Sequence, residues 1–99
     1  MLDFYLIKDE EPSPNYPSKK ALEYIGGLDH KTFYNLQQKG LLDMRFDYYS
    51  DFRLSTKTIR QILEKIENEN LGSDSDVMKL IKMLEMANRT SNGIIAYGD

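Results

Sequence analysis

Between Ser55 and Arg89, two apolar helical stripes follow one another with only a short connection, and together they dictate that something else must cover them. Ser55 or Thr56 starts the first, where Ile59, Ile62, Leu63 and Ile66 recur at i, i+3, i+4 and i+7 while Lys57, Arg60, Glu64 and Lys65 stay off that stripe. Its end frays through Asn68 to Asn70 and Gly72, and Ser73-Asp74-Ser75-Asp76 reads as a capping box for the second. That helix carries Val77, Leu80, Ile81, Leu84 and Ala87 inward, and Met78, Met83 and Met86 widen the apolar surface. Two helices so joined pack as an antiparallel αα-hairpin over residues 56–89. Because the methionines make one stripe too broad for its partner, a sheet face or a second subunit must supply the remaining cover. A homodimer is the alternative to a sheet, and whether Met78, Met83 and Met86 belong to a core or an interface stays open at this point.

The rest of the chain offers material for such a sheet. Leu2 to Lys8 sets Leu2, Phe4 and Leu6 against Asp3, Tyr5 and Ile7, a strand with apolar residues on both faces. Three prolines between Pro12 and Pro17 then make a loop, with Tyr16 as an anchor. Ser18 reads as the N-cap of a short helix through Ala21, Leu22 and Ile25, ended by Gly26-Gly27. Asp29 caps a second helix, His30 to Lys39, with Phe33 and Leu36 inward, Gly40 as its left-handed stop and Leu41 as the apolar contact after it. Met44, Phe46 and Tyr48 alternate with Arg45, Asp47 and Tyr49 as in a half-buried strand. Ser50-Asp51 is the expected turn, with Phe52 and Leu54 resuming the strand, and Ile94 to Tyr97 is a last short one. The expectation is a single α+β domain over 1–99: a short sheet of N-terminal, middle and C-terminal strands, the outer two neighbours, packed against the αα-hairpin plus one or two short helices.

Composition narrows the function. The chain has no cysteine, so disulfides, thiolate nucleophiles and cysteine zinc sites are excluded. Its net charge is −3, without the basic excess that non-specific phosphate binding uses. MLDFYLIKDEE lacks a basic segment and its apolar run is too short for a signal peptide, so a cytoplasmic, bacterial-type small protein is expected, away from any membrane. The single histidine, His30, has no ligand partner at metal spacing, and no nucleotide, hydrolase or zinc-protease motif occurs. Asn68, Asn70, Asp74 and Asp76 lack the glycine and the bidentate glutamate of a calcium loop. No enzyme activity, cofactor or metal is expected.

Asp43 to Arg53, DMRFDYYSDFR, is the segment that core formation does not use up. Asp43, Asp47 and Asp51 recur every four residues, but on a strand such residues stand ~13 Å apart, too far for one carboxylate site. The alternation instead puts Arg45, Asp47 and Tyr49 outward. Tyrosine and arginine suit interface hot spots, and the acids would steer a basic protein to them. Asp43, Arg45, Asp47, Tyr49 and Asp51 are therefore the expected partner contacts, in a small protein-binding domain of the acidic inhibitor or immunity type. The alternative is DNA contact. Lys31, Asn35 and Gln38 share a face of the His30 helix, and the order helix, KGLL and two-strand ribbon, with Ser18 to Ile25 as first helix, resembles a winged helix-turn-helix. That resemblance implies a DNA-binding regulator with Lys31, Asn35 and Gln38 at the duplex. Asp43, Asp47 and Asp51 would then put negative charge on the wing, where phosphates approach, so nucleic acid is the lesser expectation.

Overall fold

In strand β1 (Leu2–Ile7), Leu2, Phe4 and Leu6 enter the main core and Ile7 the smaller cluster on the opposite face, which is what its two-sided apolar pattern requires. Its partner β4 (Gly93–Tyr97) is buried at all five positions. The computed structural model describes residues 1–16 and 21–98, and adds β2 (Tyr24–Leu28), α1 (His30–Gln38), β3 (Phe52–Leu54), α2 (Thr56–Asn68) and α3 (Ser75–Arg89). The strands form one antiparallel sheet in the order β2-β1-β4-β3, with β1 and β4 side by side at its centre as expected. The architecture is α+β.

The helices gather on one sheet face. Ile59, Ile62 and Ile66 of α2 and Val77, Leu80, Met83, Leu84 and Ala87 of α3 close over Phe4, Leu54, Ile94 and Ala96. The sheet thus supplies the cover that the two stripes need. The methionines divide: Met83 is buried, Met86 half-buried and Met78 exposed. Ser55 caps α2 by accepting from Thr58 N, and Asp74 caps α3 by accepting from Asp76 N and Val77 N, so both starts follow the sequence signals. On the opposite face Ile7, Ile95 and Tyr97 lie beneath the loop after β1. The buried Tyr97 hydroxyl donates to Pro14 O at 2.8 Å, and Arg53 donates to Lys8 O, to Glu11 O and to Ser13 Oγ.

Two expected elements are different in kind. The helix expected from Ser18 to Ile25 does not form over its described part: Ser18 lies outside the described residues, and Tyr24 onward is strand β2, paired with β1 from Leu2↔Leu28 to Tyr5↔Tyr24. The register shifts between Phe4 and Tyr5, and Gly26 sits at φ +153 with Met83 Sδ only 3.0 Å from where a Cβ would stand. Of the two glycines that read as a helix stop, Gly26 is where the edge strand admits a methionine from α3, while Gly27 lies against Met1 and Tyr24.

The strand expected over Met44 to Tyr49 is instead two successive β-turns. Phe46 N donates to Asp43 O at 3.1 Å and Ser50 N to Asp47 O at 3.1 Å. Each opening aspartate also accepts the amide two residues on, Arg45 N at 2.8 Å and Tyr49 N at 3.0 Å. These side-chain bonds stabilise turns in competition with a strand ladder. Met44, expected to face the core, is 62% exposed, while Phe46 and Tyr48 keep their inward places.

Candidate functional site

The turns of 43–50 run back along α1, and what holds them there is a buried glutamine. Gln37 Nε2 donates to Asp43 O at 3.0 Å and to Phe46 O at 2.8 Å, so the C-terminal end of α1 grips the first turn. At the other end of the helix, the His30 ring stands edge-on to Tyr48 at 5.1 Å. Between them Phe46 stacks on Phe52 at 4.1 Å and Tyr48 packs against Phe33 at 5.8 Å, fixing the inner side of the segment. The seven residue steps from His30 to Gln37 span ~10 Å of helix, which sets the length over which the two turns are laid out.

Asp43, Arg45, Asp47, Tyr49 and Asp51 are all exposed, the outward placement expected of them, though turns rather than a strand produce it. They are not equivalent. Arg45 is clasped by Asp43, with Nε at 3.1 and 3.2 Å from its two oxygens and Nη2 at 2.7 Å. These hydrogen bonds and the guanidinium charge pull the Asp43 carboxyl down to about 2. Asp47 Oδ1 accepts Tyr49 N, and Asp51 Oδ1 accepts Gly98 N at 3.2 Å. Each carboxylate of the trio thus has its own local partner, and that, rather than strand spacing, separates them.

The sheet register brings two further acids alongside. Asp3 pairs with Tyr97 and Leu2 with Leu28, so Asp3, the β2 exit at Asp29, and Asp51 before β3 share one end of the sheet with the second turn. Asp29 accepts Thr32 N at 2.8 Å as the α1 cap, and that bond holds its carboxyl below the usual range, with Lys79 and Lys31 contributing at longer reach. Asp3 lies on the outer sheet face beside Tyr24. Sequence reasoning treated Asp29 only as a cap and gave Asp3 no role. The signals that could have found them are the pairing of β1 with β4, which places Asp3, and that of β1 with β2, which places Asp29, beside the end of the acidic segment.

The helix face considered for DNA is arranged differently. Lys31 and Gln38 are exposed, but Asn35 Nδ2 donates to Asp76 Oδ2 at 2.8 Å and Thr32 Oγ1 donates to Asp76 Oδ1 at 3.2 Å, so this side of α1 is docked on the start of α3. Lys39 reinforces the junction with Asp74 at 3.4 Å. No ribbon follows α1, since β3 pairs with β4 across the whole α2–α3 hairpin. Among the described residues no group of three acidic, histidine or cysteine side chains is gathered around a metal-sized space, and no helix is long and apolar enough to cross a membrane. A groove between α2 and α3, past Leu63, Glu67, Ile81, Glu85 and Arg89, holds no nucleophile and base together.

An antiparallel sheet with three helices on one face and an acidic margin at one end is the class of molecule these elements define. No family model and no curated protein matches the chain. Among solved structures it is similar to the Neisseria DNA mimic protein DMP12, with a TM-score of 0.63, 17% identity and 97% of each chain covered. At that identity the likeness is one of fold. It overturns the winged-helix alternative drawn from the sequence: the chain has the fold of that structure, with β3 paired to β4, and not that of a winged-helix reader of DNA. The immunity-type form of that expectation also loses its basis, because the aromatic and acidic strand it relied on does not exist.

Proposed function

We propose that this chain is a non-enzymatic protein-binding module whose carboxylates take the place of DNA phosphates on the DNA-binding surface of a basic partner. The observation that carries this reading is the placement of Asp51, Asp29 and Asp3 at one end of the sheet, beside the turn opened by Asp47, with Asp43 opening the turn before it. Four sheet strands at ~4.8 Å separation make that end ~14 Å wide, comparable with about four base steps of 3.4 Å along one DNA strand. The backbone amides of Arg45, Tyr49 and Thr32 fix Asp43, Asp47 and Asp29, and no ordering of long side chains is needed before they meet a cation. Arg45, the cation inside the array, and Asp43 neutralise each other, so Asp47, Asp51, Asp29 and Asp3 are the carboxylates left to meet a partner's cations. The named function of the structural neighbour supports the same reading, as does the net charge of −3.

The test is displacement. Proteins captured from the native cell by the immobilised wild-type chain should bind duplex DNA and be released by excess short duplex. Asp47→Asn combined with Asp51→Asn should weaken capture about tenfold or more, since charge pairs at interfaces are worth roughly 1.4 kcal/mol or more together. Both carboxylates are exposed, so the melting temperature should change little. A captured partner that duplex DNA cannot displace would refute the proposal.

A further inference from the structure

We propose that the exposed ring of Tyr49 is an arginine-selective contact, on which the guanidinium of a partner's arginine stacks in preference to a lysine ammonium. This rests on the proposed function, because it names which basic side chain the mimic surface draws to its centre. Tyr49 is 62% exposed, yet its ring is braced. Buried Tyr48 stands edge-on to it at 5.1 Å and 88°, and the His30 ring lies nearly parallel to it at 6.3 Å and 23°. The backbone beneath is fixed as well. Tyr49 N and Ser50 N both donate to Asp47, and a Cβ on Gly98 would collide with the main chain of Tyr49 and Ser50, so the end of β4 lies directly against this turn. The ring is therefore held in place before any partner arrives, and stacking on it costs little side-chain entropy.

Arginine and lysine differ at such a place. A guanidinium is planar and weakly hydrated, stacks on an aromatic face, and keeps its N–H groups in the plane for a carboxylate at the ring edge; an ammonium is a compact, strongly hydrated point charge. Asp47 is the carboxylate held against this residue: its Oδ1 accepts the backbone N–H of Tyr49, and its Oδ2 has no hydrogen-bond partner among the described residues. The protein's own nearby guanidinium does not compete, because Arg45 is clasped by Asp43.

Hexa-arginine and hexa-lysine peptides, equal in charge, distinguish stacking from simple attraction when their affinities for the protein are measured by fluorescence anisotropy at low salt. The wild type should bind hexa-arginine about threefold more tightly. Tyr49→Ala should lose that preference by weakening hexa-arginine alone, and Tyr49→Phe, which keeps the ring, should retain it. Tyr49→Leu, which keeps the bulk, should behave as the alanine variant. Equal affinity of the wild type for both peptides, binding of neither, or equal weakening of both by Tyr49→Ala would overturn the inference. Equal and salt-sensitive binding of the two peptides removes only the arginine preference, whereas failure of duplex DNA to displace a captured partner removes the mimic reading itself.

Discussion

Aspartate does two jobs in the 43–51 segment, and separating them explains both the local structure and its response to acid. Asp43 and Asp47 each open a turn by accepting the amide of residue i+2, and the recurrence of aspartate every four residues is the trace of that repeated turn. The alternation of Met44, Phe46 and Tyr48 suggested period two, but the period that governs the backbone is four. The outward placement of Tyr49 and the acids was nonetheless legible, because Phe46 and Tyr48 reach the core on either backbone, although Met44 does not. Hydrogen bonding to Arg45 lowers Asp43 to about 2, and hydrogen bonds to backbone or threonine donors also lower Asp9, Asp29 and Asp74. A carboxyl depressed in the folded state binds fewer protons there than in the unfolded chain, whose aspartates titrate near 3.9. The stability these groups contribute is therefore complete above that value and is lost as the pH falls toward about 2. Urea midpoints measured from pH 5 to pH 2 should fall steadily. Asp43→Asn should make the fall shallower by removing one titrating group.

At the scale of elements, the helices were readable because their caps and stripes are local, and the strands were less so because pairing is not. Asp29, Gly40, Ser55 and Asp74 mark helix ends that the structure keeps. Tyr24 to Leu28 carries two glycines and no alternation, and only its place beside β1 and beneath Met83 makes it a strand. The same non-local logic applies to Gln37, which the sequence shows merely as a polar residue near a helix end, yet it is 8% exposed and bonded to two carbonyls. Gln37→Ala leaves Asp43 O and Phe46 O without that donor and should cost about 2 kcal/mol of stability. The loss should be local in its dynamics. Amides of the 43–50 turns should exchange faster with solvent in the variant, while those of α3 should change only as far as the global stability does. Unchanged exchange in the turns would mean that Phe46 and Tyr48 packing alone holds the segment.

For the whole molecule, the sheet is what turns scattered acids into one surface, and the nature of that surface sets how it must respond to salt. A partner leaving DNA allows condensed counterions to return to the duplex, so its affinity for DNA falls steeply with the logarithm of salt concentration. A folded chain of net charge −3 with a few separated carboxylates does not condense counterions as a duplex does. Its attraction to a basic surface is weakened chiefly by screening, over a Debye length of ~10 Å at 0.1 M, which is shorter than the ~14 Å acidic sheet end. Contacts made at short range, such as an arginine on Tyr49 beside Asp47, are screened less than the array as a whole. Raising salt from ~50 to ~200 mM should therefore weaken the partner's hold on DNA more than its hold on this protein. In a competition assay at fixed concentrations, the fraction of partner bound to the protein, relative to DNA, should rise with salt. A ratio that stays constant would mean that the protein engages its partner with the same counterion release as a duplex, and a ratio that falls would mean that contacts other than displaced phosphates hold the partner on DNA.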